Sequence, residues 1–291
     1  MNGIWERQTV TEMEAALQKS GLELREVVIP TGVVEIESAA FLGMETLERV
    51  KLPKSLRKIG TLAFYGCKNL KNVELPKGLK EIGTAAFKDS GLTKIEIPVN
   101  VSKIESEAFA NTPLISAEIK GSATGVAMFR GCIRLKKVIL SESLCALEQE
   151  ILRDCIALKT LCLPDTLQEI GKNAFRGCSV LSDAAIPRQV KEIGEGAFYG
   201  CNIRYLVLPD DLHVIRWQTF SECKQLKSIY LPRAVRQVES EAFYGCNALC
   251  KIGMEASFGE CGKLKIGMGN EALMNANIRC GITREQFLGK K

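Results

Sequence analysis

"IGTLAFYGC", Ile59–Cys67, sets a glycine, an aromatic pair and a thiol close together and has the look of a reactive motif. Three near copies argue against that reading: "IGKNAFRGC" at Ile170–Cys178, "IGEGAFYGC" at Ile193–Cys201 and "VESEAFYGC" at Val238–Cys246. A catalytic centre is rarely built four times along one chain, so the motif reads as a structural rung. Aligned on the aromatic position, the rungs are Phe41, Phe64, Phe87, Phe109, Phe129, Leu152, Phe175, Phe198, Phe220 and Phe243, spaced 20 to 23 residues apart. Self-similarity at such a period is the signature of a stacked repeat array.

A second ladder runs through Ile29, Leu52, Leu75, Ile97, Ile119, Leu140, Leu163, Ile186, Leu208, Leu231 and Met254, and most of these residues are followed by proline. Each unit is expected to hold a short strand such as "VELP", Val73–Pro76, ended by the amide donor that proline lacks. A turn, a brief apolar segment ending in "IG" and then "AFxGC" complete it. One unit cannot bury its own apolar face, so neighbours stack and share a core. Parallel strands about 4.8 Å apart over roughly ten repeats predict a sheet about 50 Å long.

The glycine of "GC" suits a positive φ or a close approach between coils. The cysteine after it recurs at Cys67, Cys132, Cys155, Cys178, Cys201, Cys223 and Cys246, with Met44, Ser90 and Thr112 at the same step elsewhere. That interchange fits a compact buried filler. Stacked thiols at strand spacing exceed the Cβ separation of roughly 3.5–4.5 Å that a disulfide needs, and a row does not converge on a metal as a zinc site must. Most of the cysteines are therefore read as free thiols, with no metal and no cofactor.

The ends need caps. Thr11–Gly21 predicts a capping helix, with Thr11 and Glu14 as capping box, Val10, Met13 and Leu17 on one face and Gly21 as its stop. The division is a helical cap over 1–23, the solenoid over 24–254, and a degenerate repeat with a C-terminal cap over 255–291, where Thr283 and Gln286 open the second of two short helices. Repeats five and six are irregular: Lys120 and Ser141 replace proline, Leu152 replaces phenylalanine, and the step from Phe109 to Phe129 is short. Either a backbone change near Gly121–Gly131 or plain repeat decay without consequence accounts for this.

The net charge of +5 is too small for a nucleic-acid partner. No apolar run reaches the roughly 18–20 residues that span a bilayer, so no membrane insertion is expected. Met1–Thr11 shows no leader; the sequence as it stands reads as cytoplasmic, and as cell-surface or secreted if a leader precedes it. A single histidine, His213, removes most histidine-dependent triads. No phosphate loop or nucleophile elbow interrupts the array, so no catalytic residue is assigned and the chain reads as no enzyme.

"LKNVELPKGLKEIGTAAF", Leu70–Phe87, and "LKTLCLPDTLQEIGKNAFRGC", Leu158–Cys178, resemble the leucine-rich repeats of the bacterial BspA-like family over about residues 24–254. The resemblance implies a right-handed, curved leucine-rich repeat solenoid of short parallel strands and turns. It also implies a protein-binding role, with adhesion to a host matrix protein or glycan at the cell surface as the alternative.

If the apolar pair of each strand points inward, the residue between them points out. Those outward positions are charged from Lys51 to Glu118 and apolar from Ile139 through Cys162, Ala185 and Val207 to Tyr230. An exposed apolar stripe marks a partner surface. Its candidates are Ile139, Cys162, Val207 and Tyr230, with Tyr205 beside them as an anchor. Trp217 stands where other repeats are mostly polar and is expected to be partly exposed, as interface tryptophans are. Arg25, Lys71, Lys136, Lys159, Arg204 and Lys227 form a basic edge suited to an acidic or sulfated ligand, or simply to solvent.

Overall fold

The computed structural model describes residues 3–19, 21–182 and 185–289, without the side chains of Glu14, Gln18, Phe258 and Cys261. Two compact units divide the chain, Met1–Ser141 and Glu142–Lys291. Each is a solenoid of short parallel strands.

In the first unit the "IG" segments form a five-stranded parallel sheet of Ile4–Trp5, Glu35–Ile36, Lys58–Ile59, Glu81–Ile82 and Lys103–Ile104. The proline-ended ladder forms two smaller sheets, Glu26–Val28 with Arg49–Lys51, and Lys94–Ile97 with Ser116–Ile119 and Lys137–Ile139. The expected strand at Val73–Pro76 is absent. Backbone bonds from the following coil reach this one at Cys67 and Lys71, and Val73 is held by burial instead of a ladder. The expected 50 Å sheet is thereby broken into shorter pieces.

In the second unit the "IG" segments give Ala146–Leu147, Glu169–Ile170 and Glu192–Ile193, then Val214–Ile215, Gln237–Val238 and Lys265–Ile266. The other ladder is a four-stranded sheet of Tyr205–Val207, Ser228–Leu231, Lys251–Met254 and Asn277–Cys280.

The core is ordered by its aromatics. Phe41, Phe64, Phe87, Phe109 and Phe129 stack with ring centroids 4.9, 5.1, 5.3 and 5.8 Å apart, and Phe175, Phe198, Phe220 and Phe243 with spacings of 5.1, 5.6 and 5.5 Å. These distances approach the spacing between parallel strands, so one translation satisfies both the backbone ladder and the ring stack. All these phenylalanines, and Leu152 in the aromatic position, are fully buried.

Two glycines do different work. The "GC" glycine supplies the left-handed turn, with Gly66 at φ +70°, while Asp89 and Asn111 take φ of 58° and 57° at the same step. The "IG" glycine has an ordinary φ and permits close approach: a Cβ on Gly83 would lie 2.6 Å from the Thr61 nitrogen and 2.7 Å from the Gly60 carbonyl carbon. Backbone on the facing coil cannot rotate away. Gly83→Ala is therefore expected to cost about 1–3 kcal/mol by overpacking, read as a lower urea midpoint; an unchanged midpoint would mean that the coils can spread.

The N-terminal helix exists but begins earlier than expected, at Arg7–Gln18. Thr11 is not its cap; its hydroxyl bonds back to the Arg7 carbonyl, while the Glu14 side chain lies outside the described residues. The start is set by the first coil. Glu37 accepts the Arg7 amide at 2.8 Å, and the Arg7 guanidinium donates to the carbonyls of Ala39, Ala40 and Leu42. Val10 is buried as expected, and Gly21 at φ +68° follows the helix.

At the irregular repeat, no strand continues the five-stranded sheet of the first unit after Ile104 among the described residues. Gly121 and Gly125 do not adopt positive φ, and Gly131 at +70° is the ordinary "GC" glycine. The shortened step removes a strand; it does not install a glycine hinge.

Candidate functional site

The cysteine row is buried and chemically quiet. Cys67, Cys132, Cys155, Cys178, Cys201, Cys223 and Cys246 are buried thiols, Cys145, Cys162 and Cys250 are exposed thiols, and Cys280 is disulfide-bonded. Burial pushes the thiols of Cys67, Cys178 and Cys246 up to about 12 and that of Cys132 to about 11, with Cys201 and Cys223 also raised. Since the thiolate is the nucleophile, these groups are unreactive at neutral pH.

The row is more than filler. The Sγ of Cys67 donates to the Phe41 carbonyl at 3.1 Å, and Cys178, Cys201, Cys223 and Cys246 bond in the same way to Leu152, Phe175, Phe198 and Phe220. Each thiol occupies a carbonyl of the preceding coil. Ser90 and Thr112, at the same step, do not repeat the bond: the Ser90 hydroxyl is buried without a hydrogen-bond partner and the Thr112 hydroxyl donates to the Phe109 carbonyl of its own coil at 2.8 Å. Met44 stands in the first coil, where the Arg7–Gln18 helix and not another phenylalanine rung precedes it.

The outer face of the second unit is where structure and sequence part. Tyr205 and Val207 share a face of the strand Tyr205–Val207, with Leu206 turned inward. Tyr205 is 67% exposed and Val207 half-buried. Tyr230 was expected to continue this exposed stripe, and it is 1% exposed. The helix Arg284–Phe287 covers it, with the Phe287 ring centroid 5.6 Å from that of Tyr230. Gly253, opposite Tyr230 in the next strand, leaves the space: a Cβ there would lie 2.5 Å from Phe287.

The covering helix is anchored at its N-terminal end. Thr283 and Gln286 form the expected capping box, the hydroxyl accepting from the Gln286 amide at 3.2 Å and the Thr283 amide donating to the Gln286 side chain at 2.7 Å. Arg284 donates to the Leu208 carbonyl at 2.7 Å and lies 3.6 Å from Asp210. The helix ends beside a groove of about 660 Å³ whose walls include Ala185, Pro187, Arg188, Tyr205, Val207 and Leu288.

The remaining candidates fall elsewhere. Cys162 is exposed, and its neighbour Leu163 lines the same groove. Ile139 is exposed at the end of Lys137–Ile139 but belongs to the first unit, paired with Glu118. Trp217 is 42% exposed and lies beyond the strand Val214–Ile215, on the other ladder from Tyr205. The basic-edge residues are all exposed, and Arg25 is tied to Glu23 and Glu48. Among the described residues no helix is long and apolar enough to cross a membrane, and no cluster of three His, Cys, Asp or Glu side chains could hold a metal.

Set against known families, six copies of the BspA type leucine rich repeat region match residues 14–128, 124–226 and 191–265. No curated protein matches the sequence. Among solved structures, a leucine-rich repeat protein from Bacteroides ovatus is similar at TM-score 0.61 and 24% identity, covering 89% of this chain and 84% of that one. Another from Eubacterium ventriosum is similar at TM-score 0.51 and 20% identity, over 89% of this chain and 77% of that one. At such identity the likeness speaks for the fold.

Proposed function

The chain belongs to the BspA-type leucine-rich repeat family, and on that premise we propose that it is a non-enzymatic scaffold holding a protein partner in the groove beside Tyr205. The exposure of Tyr205 carries the reading. A tyrosine two-thirds exposed on a regular strand retains a large apolar surface, and aromatic residues of this kind anchor interfaces. Ala185, Pro187, Val207 and Leu288 offer apolar surface next to it, while Arg188 gives the groove a polar rim. Tyr230 has no part in the contact because Phe287 occupies its face.

A displayed peptide library selected against the intact chain tests this. Selected peptides are expected to lose about tenfold or more in affinity against Tyr205→Glu, since a hot-spot aromatic contributes on the order of 2 kcal/mol, and to bind Trp217→Ala normally. Undiminished binding to Tyr205→Glu would place the partner elsewhere.

A further inference from the structure

Trp217 belongs to a ladder of its own. Its carbonyl accepts the Gly196 amide at 3.0 Å, and the Met268 carbonyl accepts the Glu241 amide at 2.7 Å, so both residues sit at the same step of their coils, three before the aromatic rung or its counterpart. Ser240 fills that step in the coil between them, as the register of Val214–Ile215, Gln237–Val238 and Lys265–Ile266 requires. Two tall apolar side chains, Trp217 at 42% and Met268 at 84% exposure, therefore flank a short hydroxyl.

With coils about 4.8 Å apart, the backbones of the two residues stand roughly 10 Å from each other, and of the pair it is Trp217 that lines the cavity over Ser240. The cavity beside Trp217, about 440 Å³, is lined by Val238, Ile266 and Gly267 and, as its polar groups, by Gln237, Glu239, Ser240 and Lys265. Together these present an amide, a carboxylate, a hydroxyl and an ammonium, both donors and acceptors with no net charge. Glu239 is held in place by accepting the Trp217 amide at 2.8 Å.

An indole face beside a neutral, mixed donor and acceptor rim matches a ring with C–H groups on one face and hydroxyls around its edge. We infer that the cleft beside Trp217 over Ser240 is a binding site for a neutral saccharide. A nucleic acid would need a basic surround, and an aromatic peptide side chain a more apolar one. This surface lies on the other ladder from the groove at Tyr205, so the two readings stand or fall separately.

The chain has two tryptophans, and the indole nitrogen of Trp5 is buried without a hydrogen-bond partner, so Trp5→Phe leaves Trp217 as the only indole reporter at no polar cost. Chitotriose, maltotriose and mannotriose are titrated into that protein while its fluorescence is followed. At least one is expected to give a saturable change, weakened about tenfold or more by Ser240→Leu, which fills the cleft floor, and unaffected by Tyr205→Glu. Thermal unfolding of Ser240→Leu, unchanged, shows that the loss is one of binding. No saturable response to any of the three sugars overturns the inference, as does equal affinity in Ser240→Leu. Saturation by N-acetylleucinamide alone, which does not fluoresce, also overturns it, in favour of a peptide site.

Discussion

Replacing Phe64 by alanine is expected to destabilise the protein by about 3–5 kcal/mol, the range for a buried aromatic truncated in a rigid core. Phe64 is fully buried and stacks on both Phe41 and Phe87 at 4.9 and 5.1 Å. Its removal opens a cavity and breaks two ring contacts. The backbone cannot collapse into the space, because Phe64 donates to the Ala86 carbonyl at 2.7 Å and Ala63 accepts from the Phe41 amide at 2.8 Å, fixing the coil spacing from both sides. Urea unfolding of Phe64→Ala beside Tyr244→Ala, an exposed residue expected to change stability by no more than about 0.5 kcal/mol, measures the difference. A loss below about 1 kcal/mol would move the stabilising weight from the aromatic stack to the backbone ladders.

Alkaline pH should unfold the protein steeply. Cys67, Cys132, Cys178, Cys201, Cys223 and Cys246 have thiols raised by burial, so the folded chain keeps protons that the unfolded chain releases. A free thiol titrates near 8.5, and below that pH both states are protonated and stability is intact. Above it each thiol removes about 1.4 kcal/mol per pH unit until its folded value is reached, near 11 to 12 for those that end lowest. Six such groups give a slope of about 8 kcal/mol per unit, enough to exhaust the stability of an ordinary domain within one or two units. The midpoint is expected between about pH 9 and 10.5. Replacing Cys201 and Cys223 by alanine leaves four of the six and should lower the pH slope by about a third, although the carbonyls of Phe175 and Phe198 lose their thiol donors. An unchanged slope would show that the thiols ionise without unfolding. Alkylation gives a companion readout: Cys145, Cys162 and Cys250 are exposed and react in the native protein, while the buried row waits for unfolding.

What the sequence by itself determined is whatever repeats. The aromatic rungs, the buried cysteines, the positive φ at the "GC" glycine and the family all follow from a period near 23 residues, because translation by one coil returns each side chain to the same environment. The donor role of the thiols was not legible there, since Ser90 and Thr112 at the same step do not share it; it needed the structure to point each Sγ at a carbonyl one coil back.

Only the tertiary structure decided what the repeat does not encode. The helix begins at Arg7 because Glu37, in a coil not yet formed when the local sequence is read, accepts its first amide. Tyr230 is buried because Phe287 folds back from the end of the chain into the space that Gly253 leaves. Lys265 comes to the cavity at Trp217 after the phenylalanine count has faded, so spacing alone could not pair them. Periodicity fixes which side chains face the core, where every coil meets the same neighbours; the outer face is set by single contacts between segments distant in sequence, and these have no period to read.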